Sequence, residues 1–257
     1  MRFALLGSGS EGNALIVEAG GTCLMLDCGF GPRECVARLE RLGLEPSRLA
    51  GIVVTHEHSD HADGVFPLAR RLGLPVWMTW GTFSAMRWTE PDAGRDVEVR
   101  LVDPDSAFAV AGLEVRPLTV PHDAREPVQY VFGDGARRLG VLTDTGSATA
   151  HIEASLSGCD ALVLECNHDV DLLMGGEYPP SLKARIAGRW GHLDNAVSAA
   201  ILAALDRSRL KHVVAAHLSR KNNTPELARA ALSSALGCAP EWIAVATQDE
   251  GLGWRDV

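Results

Sequence analysis

No run in the chain approaches the roughly 20 consecutive apolar residues that a bilayer-spanning helix needs. A membrane partner is therefore not expected. The apolar stretch at residues 1–7 is too short for the core of an export signal and meets glycine at once, so a cytoplasmic location is expected. Also missing are a Pro/Ser-rich linker, a low-complexity tract and a repeat of fixed period. With 257 residues, 46% of them hydrophobic, the chain can bury a sizeable core and is read as one domain spanning 1–257. The cysteines Cys23, Cys28, Cys35, Cys159, Cys166 and Cys238 form no C-x-x-C pair. Several lie in apolar runs, as buried reduced thiols do. Net positive charge is lacking too: a formal charge of -9 argues against broad electrostatic attraction to nucleic acid.

What is present begins as short apolar segments punctuated by glycine. Strands are expected at 2–6, 14–18 and 22–27, then a helix at 32–42 with Pro32 in its first turn and Gly43 just beyond its end. A strand at 52–55 leads into a polar turn, followed by a helix at 62–72 closed by Gly73. Further strands are expected at 97–102, 113–120, 128–132, 138–143, 161–164, 212–216 and 242–246. Helices are expected at 148–156, 182–189, 196–205 and 225–236. Strands grouped early and helices interleaved later suggest an α/β chain with two sheets covered by helices.

The polar turn carries the strongest chemical signal. Thr55-His56-Glu57-His58-Ser59-Asp60-His61 places three imidazoles and two carboxylates in seven residues, directly after the apolar run Gly51-Ile52-Val53-Val54. Imidazole suits zinc, iron and other first-row metals, and the aspartate adds the negative charge a second divalent ion requires. The alternative is a solvated histidine-rich loop. Gly7-Ser8-Gly9-Ser10-Glu11-Gly12 matches G-x-G-x-x-G, but a dinucleotide site needs a helix starting on those glycines. The following Asn13-Ala14-Leu15-Ile16-Val17-Glu18 favours a strand, so this is read as a tight loop between strands at the rim of the site.

The T-H-x-H-x-D-H turn resembles the signature of the metallo-β-lactamase superfamily. Three later segments extend the resemblance: Val120-Pro121-His122-Asp123, Leu142-Thr143-Asp144-Thr145-Gly146 and Ala215-Ala216-His217-Leu218-Ser219. The resemblance implies an αβ/βα four-layer sandwich, two mixed sheets flanked by helices. It implies two divalent metal ions, zinc or manganese with iron also admissible: His56, His58 and His122 on one, Asp60, His61 and His217 on the other, and Asp144 bridging. Two such ions leave a water between them deprotonated near neutral pH. Asp27 matches a position that supports the ligand turn without binding metal.

Gly191-His192-Leu193-Asp194-Asn195 resembles a G-H-[ST] segment of tRNase Z-like phosphodiesterases. That likeness makes His192 a candidate general acid, oriented by Asp60, and so assigns a catalytic role to both. The loop at 6–13, Glu165-Cys166-Asn167-His168-Asp169 and the stretch from His217 through Glu226 look like the WalJ/YycJ-like branch, small members regarded as 5'-to-3' exonuclease-like. Glu11 stands where that branch leads one to expect a basic residue, and Asp194 where it leads one to expect serine. The expected activity is a dinuclear metal-dependent phosphodiesterase, a nuclease on DNA or RNA. The alternative is a hydrolase of a small acyl substrate such as a β-lactam, lactone or thioester. A diiron redox centre on this scaffold would carry Glu at the third position of the turn, where this chain has His58. Lys183, Arg185, Arg189, Arg220 and Lys221 lie near two of these segments and stand as candidate phosphate contacts or ordinary surface. Asn222, Asn223 and Thr224 offer neutral donors for phosphate, with Thr224 equally a helix cap, and His168 is either near the site or a loop histidine.

Overall fold

The computed structural model describes all 257 residues, Met1–Val257. Fourteen strands form two seven-stranded sheets. The first sheet takes β1 (Arg2–Gly7), β2 (Ala14–Ala19), β3 (Thr22–Leu26), β4 (Leu49–Val53), β5 (Val76–Thr79) and β6 (Val99–Val102). The second takes β7 (Phe108–Val110), β8 (Leu113–Thr119), β9 (Val128–Gly133), β10 (Arg138–Leu142), β11 (Ala161–Glu165), β12 (His212–Ala216) and β13 (Ala244–Val245). The last strand, β14 (Leu252–Asp256), returns to the first sheet and pairs antiparallel with β1. The orders are β14-β1-β2-β3-β4-β5-β6 and β13-β12-β11-β10-β9-β8-β7.

Each sheet starts as an antiparallel meander and turns parallel, at β3/β4 in the first and β10/β11 in the second. That switch sets the position of the site. In the parallel halves every strand ends at the same edge, and the register pairs Leu26 with Val53, Leu142 with Leu164, and Glu165 with Ala216. The residues that follow these ends, Asp27, Thr55, Asp144 and His217, are therefore delivered to one rim. Asp27, Asp144 and His217 all leave their strands with positive φ, at 59°, 50° and 55°. Left-handed backbone is uncommon outside glycine, and it clusters at sites whose surroundings hold it in place.

Helices flank both sheets: α1 (Pro32–Arg41), α2 (Ser59–Ala62), α3 (Val65–Leu72), α4 (Trp80–Thr89), α5 (Ala150–Leu156), α6 (Val170–Gly175), α7 (Pro180–Ile186), α8 (Asn195–Ala204) and α9 (Pro225–Leu236). The core has three parts. Inward faces such as Phe3, Leu24, Tyr130, Phe132 and Val163 meet between the sheets. Cys35, Leu39, Phe66 and Leu68 seal the outer face of the first sheet, and Ile152, Leu202 and Leu232 that of the second. The result is the helix-sheet-sheet-helix order expected. All six cysteines are free and five are buried in these layers. No helix is long and apolar enough to cross a membrane.

Several elements depart from the sequence expectation. The helix expected at 62–72 divides into α2 and α3, because Gly64 donates its amide to the Cys28 carbonyl at 2.8 Å and a Cβ there would lie 1.9 Å from the Phe30 oxygen. The strand expected at 242–246 shrinks to β13, since Pro240–Trp242 forms a 3-10 turn. The helix expected at 182–189 spans Pro180–Ile186. β5, α4, β7, α6 and β14 carry no expectation from the sequence reading. Their apolar patterns are short, and α4 and α6 expose Trp80, Trp88, Leu172 and Met174.

Candidate metal centre

The turn after β4 is fixed from behind by Asp27. Its Oδ1 accepts the Thr55 amide at 2.8 Å, and its Oδ2 accepts both the Thr55 hydroxyl and His61 Nδ1 at 2.8 Å. The Thr55 oxygen in turn accepts His56 Nδ1–H at 2.9 Å. On the far side, His122 Nδ1 donates to the Gly191 carbonyl at 3.0 Å. In His56, His61 and His122 the Nδ1 proton is thus committed to an acceptor, and Nε2 is left as the lone-pair nitrogen. The expectation that Asp27 supports the turn is met in its geometry.

Those nitrogens meet carboxylates. His61 Nε2 lies 2.9 Å from Asp144 Oδ2 and 3.4 Å from Asp60 Oδ2. His217 Nε2 lies 3.3 Å from Asp60 Oδ2 and 3.5 Å from Asp144 Oδ1. His122 Nε2 stands 3.2 Å from His58 Nδ1 and 4.0 Å from Asp144 Oδ1. His56 Nε2 and Asp144 Oδ2 are buried without any hydrogen-bond partner. Lone pairs turned toward lone pairs and carboxylates, away from water, require a cation or a proton between them. The donor set fits divalent ions: four groups have ligand atoms within 4.8 Å of one another, His56 with His58 and His122, Asp60 with His61 and His217, His56 with His61 and Asp144, and Asp144 with Glu165, His192 and His217. All seven residues expected to hold metal are gathered at one locus.

The electrostatics of the protein groups divide the imidazoles. Burial holds His56 and His122 below the ordinary imidazole value. Burial also opposes charge on His61, but Asp144, Asp60 and Asp27 override it and push its pKa well up. Burial disfavours the Asp144 carboxylate, yet His217 and His61 hold its pKa well below the usual range. Neutral imidazole and ionised carboxylate are the ligand forms, so His56, His122 and Asp144 already hold theirs, whereas His61 must give up a proton to a cation.

His192 stands beside this cluster, its ring centroid 5.4 Å from those of His122 and His217. From sequence, Asp60 is its expected orienting group. Instead its Nδ1 donates to Glu165 Oε1 at 2.8 Å, with Asp144 Oδ1 at 3.4 Å, because β11 ends with Glu165 on the same rim. Burial favours the neutral ring, but the Glu165 carboxylate lifts the His192 pKa to about 9. Glu165 itself is fully buried and accepts the Thr145 amide at 3.0 Å. Its signal in the sequence was an acid closing the apolar run Ala161-Leu162-Val163-Leu164. From sequence, only the loop at 7–12, with Ser8, is expected at the rim of the site, and Asn13 carries no role. Asn13 Nδ2 reaches Asp60 Oδ2 at 3.2 Å and His61 Nε2 at 3.1 Å, and Ser8 Oγ accepts the His217 amide at 2.8 Å.

Other candidates lie elsewhere or are engaged. Asn223 is buried and donates to the Cys166 carbonyl and Asn195, Asn222 is buried against Ser219, and Thr224 caps α9. These are anchors of the loop after β12, not free phosphate donors. Asp194 caps α8. His168 is buried, its backbone bridged to Asp194, and belongs to none of the ligand groups. Among the cations, Arg185 pairs with Asp123 at 2.6 Å, Arg220 with Asp249 at 2.6 Å and with Glu11 at 3.6 Å, and Lys183 donates to the Met174 and Gly176 carbonyls.

Residues 22–218 match the β-lactamase superfamily domain. The exodeoxyribonuclease YycJ of Bacillus anthracis is 36% identical over 92% of this chain and 89% of its own. The exodeoxyribonuclease WalJ of Streptococcus pneumoniae is 30% identical over 93% of this chain and 89% of its own. Among solved structures, the metallo-β-lactamase fold protein YhfI of Bacillus subtilis superposes with a TM-score of 0.76 at 15% identity, covering 99% of this chain and 98% of its own. Fold, strand-end imidazoles and overall likeness agree, and the chain belongs to the metallo-β-lactamase superfamily.

Proposed function

We propose that this protein is a metal-dependent phosphodiesterase that acts on nucleic-acid ends, in the manner of a 5'-to-3' exonuclease. The observation that carries this reading is His192, held by a buried carboxylate beside the imidazole cluster. A thioester expels a thiolate that departs without a proton, whereas a departing alkoxide needs one. The likeness to proteins named exodeoxyribonucleases supports the same choice. His56, His58 and His122 would hold one divalent cation, Asp60, His61 and His217 a second, with Asp144 between them. When bound, such ions supply Lewis acidity to a phosphoryl oxygen and acidify a water molecule.

The side chains do the rest. Asp27, Thr55 and the Gly191 carbonyl fix which imidazole nitrogen faces inward, so no reorganisation is needed as substrate arrives. Glu165 accepts the Nδ1 proton of His192 and leaves Nε2 to carry a proton toward the leaving oxygen. Glu165 is thus a positioning residue and His192 the general acid.

Side-by-side assays of bis(p-nitrophenyl) phosphate and nitrocefin, with zinc or manganese added, test the reading. Turnover of the phosphodiester is expected to dominate. The His192→Ala variant is expected to lose about 10²- to 10⁴-fold in kcat on an oligonucleotide. Its loss on p-nitrophenyl ester, whose leaving group departs without a proton, is expected to be much smaller. Preferential nitrocefin hydrolysis, or equal losses on both phosphodiesters, would overturn it.

A further inference from the structure

Two residues before His192, Trp190 leaves 59% of its surface exposed. One exposed aromatic is unremarkable by itself, but here the backbone that carries it is clamped to the metal centre. Its carbonyl accepts the amide of Asp123 at 2.9 Å, and the carbonyl of the next residue, Gly191, takes the Nδ1 proton of His122 at 3.0 Å. Behind it, Gly146 lies so close that a Cβ would come within 2.4 Å of the Arg189 carbonyl carbon and 2.5 Å of the Gly191 nitrogen. The Gly146 amide is itself bonded to the Pro121 carbonyl at 2.7 Å, and the His192 amide to Ile186 at 2.9 Å. Two residues of chain span at most about 7 Å, so the Trp190 backbone is held within about a nucleotide's length of the His192 backbone.

Charge adds the second argument. A nucleic-acid enzyme ordinarily gains affinity from free cations on the phosphate backbone. This chain carries a net charge of -9, and of the five cations near the site Arg185, Arg220 and Lys183 are already held by Asp123, Asp249 and backbone carbonyls, which leaves Arg189 and Lys221 without a carboxylate partner. An exposed indole carried two residues from His192 supplies affinity of another kind, because every base has a π-face and stacking tolerates any sequence. Resting on the phosphodiesterase reading, we infer that Trp190 is a stacking platform for the base of the nucleotide adjoining the scissile phosphate, at an unpaired strand end. A paired base is already stacked within its duplex and cannot use the platform.

The test crosses the side chain with the base. Metal-loaded wild type, Trp190→Phe and Trp190→Ala are given single-stranded oligonucleotides that carry either a base or an abasic tetrahydrofuran at the adjoining nucleotide. Trp190→Ala is expected to raise KM about 5- to 100-fold on the intact substrate, with kcat at saturation nearly unchanged and Trp190→Phe close to wild type. Removing the base is expected to raise the wild-type KM by a similar factor and to leave Trp190→Ala indifferent. In parallel, 2-aminopurine at that nucleotide should be quenched on binding to wild type and not to Trp190→Ala. Undiminished discrimination by Trp190→Ala, or quenching that survives its loss, overturns the inference. A wild type that binds and quenches but cleaves nothing counts against the phosphodiesterase reading and leaves the platform standing.

Discussion

Asp27 touches no substrate in this account, yet it decides which nitrogen of two imidazoles faces the cations. Replacing it with asparagine leaves a side chain of similar shape without the charge that receives His61 Nδ1–H. The Asp27→Asn variant is expected to bind divalent metal about 10- to 100-fold more weakly, read by competition with a chromogenic chelator; unchanged affinity would show that the turn holds itself. Glu165 makes a prediction in pH. A general acid must carry its proton, so activity that depends on His192 declines as pH rises through its pKa, which the Glu165 carboxylate raises. Glu165→Gln removes the charge that retains the proton, and the alkaline limb of kcat is expected to move to lower pH. A limb that stays in place would assign it to another group. Residues of this kind resist reading from sequence. The ligand turn announces itself because three histidines and Asp60 fall within seven positions, whereas Glu165 and Asn13 act through contacts made only once distant strand ends meet.

Among the elements, the parallel half of the second sheet matters most, since β10, β11 and β12 deliver Asp144, Glu165 and His217. At the opposite end of these strands Asp160, its side chain fully buried, accepts the Arg138 amide at 2.9 Å and pairs with Arg137 and Arg209 at 2.9 and 3.0 Å. Burial disfavours the charged form, but these partners together outweigh it and hold the Asp160 carboxyl below its ordinary value. A folded-state pKa below the unfolded one stabilises the protein above about pH 4 and ceases to do so as pH falls through the folded value. Asp160→Asn is therefore expected to cost about 1–3 kcal/mol near neutrality, measured by urea unfolding, with a smaller difference from wild type in acid. A cost that does not shrink in acid would mean that lost geometry, not lost charge, is responsible. Strands with clean apolar runs were legible within one or two residues, as β1, β2, β8 and β12 show. The split of α2 from α3 was not, because it depends on how closely Gly64 approaches the Phe30 and Cys28 carbonyls of a separate segment.

At the scale of the whole molecule, two sheets that share one rim concentrate Asp60, Asp144 and Glu165 in a protein already negative by nine charges. That arrangement suits positive ions, and ligands that bind only the folded state raise its stability. Saturating zinc or manganese is expected to raise Tm of the metal-stripped protein, with protons released on binding because His61 and His217 hold theirs above the usual imidazole range in the absence of cations. The two-sheet architecture followed from strand grouping, but the convergence of His122, Asp144 and His217 on the early turn rested on family resemblance, since nothing local to those residues fixes where their strands dock. Metal content therefore tests the account most directly. Elemental analysis of protein loaded with zinc or manganese and dialysed free of excess should find about two ions per chain in wild type and a clear loss in Asp144→Ala; a wild type that retains none, or a variant that retains as much as wild type, would contradict it.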